Sequence, residues 1–161
     1  MVGLQTSRGV GSTAAGPTGE YKFASGTRDP SDPTRSGTFG TSYASNHNRF
    51  GRQDLFGWSN IHNAQAGATY GLTRALSLTV MYNNSWLASA RDALYANSGK
   101  VIAQNATGAH VGQELDTFFT YKYGVFEFGA GYGRFFKGDF IRQTTSGVNP
   151  SCAYVFHTYS F

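Results

Sequence analysis

Residues 111–132 read VGQELDTFFTYKYGVFEFGAGY, and an alternation with a period of two runs through them. Val111, Gln113, Leu115, Thr117, Phe119 and Tyr121 fall on one side of an extended chain. Gly112, Glu114, Asp116, Phe118, Thr120 and Lys122 fall on the other. Successive side chains of a β-strand point to opposite faces, so this pattern predicts strand. Beyond Tyr123 and Gly124 the apolar set moves to even positions: Phe126, Phe128, Ala130 and Tyr132. A two-residue turn at Tyr123 and Gly124 demands that switch, because the numbers of paired residues then sum to an odd value. In that register Tyr121 faces Phe126, Phe119 faces Phe128 and Leu115 faces Tyr132. On the opposite side Phe118 lies over Gly129 and Asp116 opposite Gly131. Tyr-Gly is not the best turn pair, and a bulged turn, which shifts the register by one, is the alternative.

The same period extends in both directions. Trp58, Asn60, His62, Ala64, Ala66, Ala68, Tyr70 and Leu72 share one face, against Asn63, Gln65, Gly67 and Thr69. Leu76, Leu78, Val80, Tyr82, Asn84 and Trp86 keep the same parity, with Ser77, Thr79, Asn83 and Ser85 opposite. Keeping parity across a connection requires an odd loop, and Thr73, Arg74 and Ala75 supply one of common hairpin size. Near the N-terminus GEYKFAS sets Tyr21 and Phe23 against Glu20 and Lys22. At the other end SCAYVFHTYSF places Ala153, Val155, His157, Tyr159 and Phe161 on one face. Soluble domains usually finish in a frayed polar tail; this chain finishes on an aromatic strand. Between these strands lie two long polar segments, about 26–57 and 89–109, the first holding two of the four prolines. Loops of that length are functional or disordered.

Composition narrows the class. Charged residues are 14% against about 25% in a typical soluble domain, while aromatics reach 16%. No run approaches the roughly 18 apolar residues of a membrane helix, and the mean hydropathy of -0.34 rules out a helical bundle. A transmembrane β-barrel shows lipid only alternate residues, so its average stays polar. The formal charge of +4 is mild and its Lys and Arg are scattered, which excludes a dedicated nucleic-acid face. A single cysteine, Cys152, excludes a disulfide framework. Residues 1–20 lack the apolar core of a secretion signal and are left unassigned, as a disordered or non-native segment.

Connections alternate long, short, long, short, long. If short turns are periplasmic and long loops external, the chain ends on the periplasmic side, which six strands counted back from Phe161 satisfy. Aromatic residues sit near both ends of the strands, as interfacial girdles do. The expected fold is all-β: an antiparallel transmembrane β-barrel segment over 21–161, about six strands in an up-and-down meander, part of a larger barrel in the bacterial outer membrane. Six strands are too few to close a barrel. The chain is then a fragment whose remaining strands lie elsewhere, or it joins homo-oligomer partners. A soluble β-sandwich is the competing class, in which the apolar face would be a core.

Five phrases in order, ASGTRDPSDPTRSGTF, DLFGWSNIHN, WLASARDALY, HVGQELD and GYGRFFKGDFI, resemble the C-terminal part of the alginate-export family of outer-membrane porins. The resemblance covers about 21–161. It implies a full barrel of about eighteen strands that conducts a hydrophilic, often anionic solute such as a polysaccharide. It also implies that the terminal strand ending in Phe161 is read by the barrel assembly machinery.

Candidate pore-lining residues on the polar faces are Asn63, Gln65, Asn83, Glu114, Asp116, Lys122 and Glu127. Charges of both signs facing water would tune ion selectivity; the plainer role is pairing within the wall. Arg91, Arg134 and Arg142, near strand ends or in loops, would draw carboxylated sugars to the mouth through bidentate contacts. Solvated arginines, or arginines against lipopolysaccharide, are the plainer reading. Gly129, Gly131 and Gly133 alternate on the inner face and either make room for solute or lie covered by Phe118 and its neighbours. Asp29 and Asp32 have carboxylates suited to calcium but lack the spacing of a calcium loop, and turn chemistry explains them. His47, His62, His110 and His157 show no metal-ligand spacing. No metal, no cofactor and no catalytic arrangement is expected. The function expected is a passive outer-membrane channel. The alternatives are a structural or adhesion barrel without an open pore, or a non-functional fragment of a larger porin. Partners would be outer-membrane lipid, lipopolysaccharide and an anionic polysaccharide, with no nucleic acid.

Overall fold

The computed structural model describes residues 17–24 and 50–161. The Asp29–Asp32 turn, His47 and most of segment 26–57 lie outside the described residues. Six strands form one sheet: β1 (Pro17–Ala24), β2 (Ile61–Gly71), β3 (Leu76–Leu87), β6 (His110–Tyr123), β7 (Phe126–Lys137) and β8 (Ser151–Tyr159). Each strand is antiparallel to its neighbours, giving an up-and-down meander with β1 and β8 at its edges. The segment between β3 and β6 carries a small ribbon of β4 (Leu94–Tyr95) and β5 (Val101–Ala103), and one short helix, α1 (Asp139–Thr144), joins β7 to β8. β1 takes in Pro17 to Glu20 as well as the alternating stretch from Tyr21.

The β2–β3 connection has the odd length that parity required. Leu72 donates to the carbonyl of Leu76 at 2.9 Å, and the hydroxyl of Thr73 accepts from the amides of Ala75 and Leu76. The β6–β7 turn differs from the reading at Tyr123 and Gly124. Tyr123 pairs with Phe126, so the turn is Gly124 and Val125. Gly124, at φ 57°, supplies the positive φ of the first turn position. The register therefore moves along by two: Tyr121 faces Phe128, Phe119 faces Ala130, Leu115 faces Arg134, Phe118 faces Gly131 and Asp116 faces Gly133. A shift of two conserves parity, so the side chains from Gly112 onward stay on their expected faces. Val111 does not: a bulge beside Ser85 and Trp86, which face Gly112 and His110, turns it from the expected aromatic face into the buried cluster.

The two faces differ sharply. Tyr70, Val80, Tyr82, Leu115, Phe119, Tyr121, Phe126, Phe128, Tyr132, Phe136, Val155 and Tyr159 stand exposed on one of them. On the other, Asn63, Asn83, Ser85, Glu114, Asp116 and Phe118 are buried. At the end of the sheet carrying the long connections, an apolar cluster lies over this second face. Phe50 and Phe56 join Ile61, Leu87, Leu94, Val111, Phe135, Phe140 and Ile141 in it. Asn60, at φ 54°, ties the start of β2 to this layer: its amide donates to the carbonyls of Ser89 and Ala93 and its Oδ1 accepts from Ser89.

Candidate functional site

The polar face is built by alternation on β2, β3 and β6. Asn83 pairs with Gln65 on one side and Glu114 on the other, while Asn63 pairs with Ser85, so these residues form adjacent rows across three strands. Asn63 Nδ2 donates to Ser85 Oγ at 2.8 Å and Gln65 Nε2 to Asn83 Oδ1 at 2.9 Å. Glu114 and Asp116, two residues apart on β6, continue the rows at 1% and 0% exposure. Glu114 Oε2, Asp116 Oδ1, Asn63 Oδ1 and Asn83 Nδ2 are buried without a protein hydrogen-bond partner. A sheet face with that many uncompensated polar atoms cannot be set against hydrocarbon. The opposite, aromatic face can.

What covers the carboxylates is segment 50–58, which turns in from the long connection before β2. The amide of Arg52 donates to Asp116 Oδ2 at 3.1 Å and the next amide, that of Gln53, to Glu114 Oε1 at 3.0 Å. The Arg52 guanidinium carbon stands 4.3 Å from the ring centre of Phe118, 5.5 Å from that of Phe156 and 5.7 Å from that of Tyr154. Phe50 and Phe56 stack at 5.6 Å and anchor the segment in the apolar cluster. Two glycines permit this approach. A Cβ on Gly51 would collide with the Glu114 carboxyl group, and one on Gly133 with Asp116 Oδ1. Gly129 and Gly131 likewise lie under Phe156 and under Phe118 with Tyr154.

Of the ten residues singled out from the sequence, five come together here: Asn63, Gln65, Asn83, Glu114 and Asp116. Lys122 and Glu127 oppose each other at the short-turn end as a 3.5 Å ion pair. Arg91 is exposed in the turn after β3, and Arg142 is exposed on α1, 3.8 Å from Asp139. Arg134 is on the aromatic face, between Leu115 and Ser151. It shares the even parity of Phe126 to Phe136, so its side chain is directed away from the polar rows that a pore-lining role would need. Arg52, Gln53, Tyr154 and Phe156 were not anticipated. Tyr154 and Phe156 follow from the parity of β8, whereas nothing local in FGRQDLFGW announces that Arg52 folds back onto β6.

A family profile described as alginate export matches residues 18–154. The chain belongs to the alginate-export family. This is a family of outer-membrane export channels, a transport and not an enzyme family. No curated protein sequence matches the chain. For an alginate-export chain the two faces acquire a setting: in an outer-membrane barrel the aromatic face meets lipid and the polar face the lumen. No helix of the described residues is long and apolar enough to cross a membrane; the crossing elements are strands.

Proposed function

We propose that this chain forms a wall of a passive channel for hydrophilic, anionic solutes such as polysaccharide, with its short turns periplasmic and its long connections external. The observation that carries the reading is the covered pair of carboxylates. Glu114 and Asp116 are taken up by the amides of Gln53 and Arg52, so the pair does not present its carboxyl groups to the lumen. Arg91 and Arg142 remain exposed at the long-connection end, which favours anions at the mouth. Segment 50–58 narrows the passage there. The edges of β1 and β8 pair with further strands, from the same polypeptide or from other copies, because lipid leaves no backbone group unpaired. The strand that ends in Phe161 is the part the barrel assembly machinery engages.

The apolar cluster on the polar face favours a second reading, a structural or adhesion barrel whose interior is plugged. Conductance across a planar bilayer, with heat-modifiable gel mobility to report folding, separates the two. Stable steps whose reversal potential favours anions support the channel. A compact folded band that never conducts refutes it in favour of the plugged barrel, and cation-favouring steps refute the charge argument.

A further inference from the structure

Among the described side chains of β2, β3, β6, β7 and β8, Arg134 is the only Lys, Arg, Asp or Glu on the aromatic face. A charge there is tolerated only at the right depth, since Arg at the bilayer midplane of a barrel is strongly destabilising and near the interface almost neutral. The depth follows from the strand. Arg134 lies eight residues along β7 from Phe126, which opens the apolar row at the short-turn end. At about 3.4 Å per residue and a tilt of about 40° that is a height of roughly 21 Å. The apolar band of such barrels is about 25 Å tall, so the guanidinium stands at its far edge, level with lipid headgroups. The surroundings fit an interface. The ring of Phe136, two residues farther from the short turn, has its centre 5.5 Å from the guanidinium carbon, and Tyr132 precedes Arg134 on the same face. Towards β3 the face turns polar: Gln113 is the diagonal neighbour of Arg134, Asn84 pairs with Gln113, and Asn84 Oδ1 is 2.9 Å from His110 Nε2. Trp86 lies against His110, the ring centres 5.7 Å apart and the planes tilted by 39°.

We propose that Arg134, backed by Phe136 and flanked by Gln113, binds a phosphate of the lipopolysaccharide headgroup in the outer leaflet, with the acyl chains against Tyr132 and the aromatic row below. A guanidinium offers a phosphate two parallel N–H bonds, and among the described side chains of this face no carboxylate competes for it. The site rests on the lipid-facing reading of the aromatic face and on the external position of the long connections. It does not require an open pore.

The test is native mass spectrometry of the refolded chain in detergent with bisphosphorylated lipid A, dephosphorylated lipid A, or lipid A plus excess inorganic phosphate. Wild type should retain the bisphosphorylated form. Arg134→Gln should bind it at least about tenfold more weakly, and Arg134→Lys should fall between, as a point charge without the bidentate fork. Inorganic phosphate should not displace it, because the chains supply the rest of the contact. Equal retention by Arg134→Gln, or equal binding of the dephosphorylated lipid, overturns the site. Displacement by inorganic phosphate alone reassigns it to a free anion and overturns the lipid. A wild type that gives a compact folded band yet retains no lipid A removes this site and leaves the channel reading intact. Loss of lipid together with loss of the folded band removes both.

Discussion

Replacing Asp116 tests whether segment 50–58 is held on the polar face by the carboxylates beneath it. Asp116→Ala deletes the acceptor of the Arg52 amide, a 3.1 Å bond to a buried carboxylate. A hydrogen bond to a charged group contributes about 1.5–3 kcal/mol, so opening of the segment should become easier by about 2 kcal/mol. The other anchors remain: the Gln53–Glu114 bond, the stacked rings of Phe50 and Phe56 and the Arg52 contact with Phe118. The segment therefore loosens without detaching. Trypsin reads this directly, because the bond after Arg52 is protected only while the segment is docked, whereas Arg91 and Arg142 are exposed. Where opening is fast relative to cleavage, the cutting rate follows the open population, and about 2 kcal/mol corresponds to roughly a 30-fold faster cut. Asp116→Asn keeps an oxygen acceptor and loses the charge, which is about half the strength; about 1 kcal/mol and roughly fivefold are expected. Cleavage at Arg52 that matches Arg91 in the wild type would refute the docked segment. Slower cleavage after Asp116→Ala would refute the reasoning differently: the desolvation cost of the carboxylate would then exceed what its bonds return.

Gly133→Ala places a Cβ against Asp116 Oδ1, so it should raise trypsin cutting at Arg52 with Asp116 itself unchanged; an unaltered rate would show that the carboxylate can turn aside. Phe119→Lys puts a charge on the aromatic face, next to Leu78 and Ala130, and should cost about 2–4 kcal/mol in urea unfolding from lipid bilayers if that residue lies near the midplane. Unchanged stability there would mean that this face does not meet lipid.

Much of the architecture was legible because a β-strand writes its two faces into alternate residues. Six strands, the odd loop at Thr73, Arg74 and Ala75, and the side taken by Glu114, Asp116 and Phe119 follow from parity. The parity of Arg134 also pointed to the aromatic face, against the site role its charge suggested. Register was less legible. Turns at Tyr123–Gly124 and at Gly124–Val125 predict the same faces and differ only in which pairs touch, so alternation cannot choose between them. The positive φ of Gly124 at the first turn position does.

Alternation and composition by themselves determined an aromatic row, a polar row behind it and strands of a length to cross an outer membrane, and left a soluble β-sandwich as the competing class. Those properties are local, set by the two-residue period and by what each side chain costs in hydrocarbon or water. Tertiary structure alone decided what Glu114 and Asp116 face. Their partners, the amides of Gln53 and Arg52, lie more than 60 residues earlier in the chain, in a stretch whose polar composition reads as loop. A backbone N–H carries no residue identity, so a bond from it to a carboxylate leaves no trace in the sequence until the fold brings the two together.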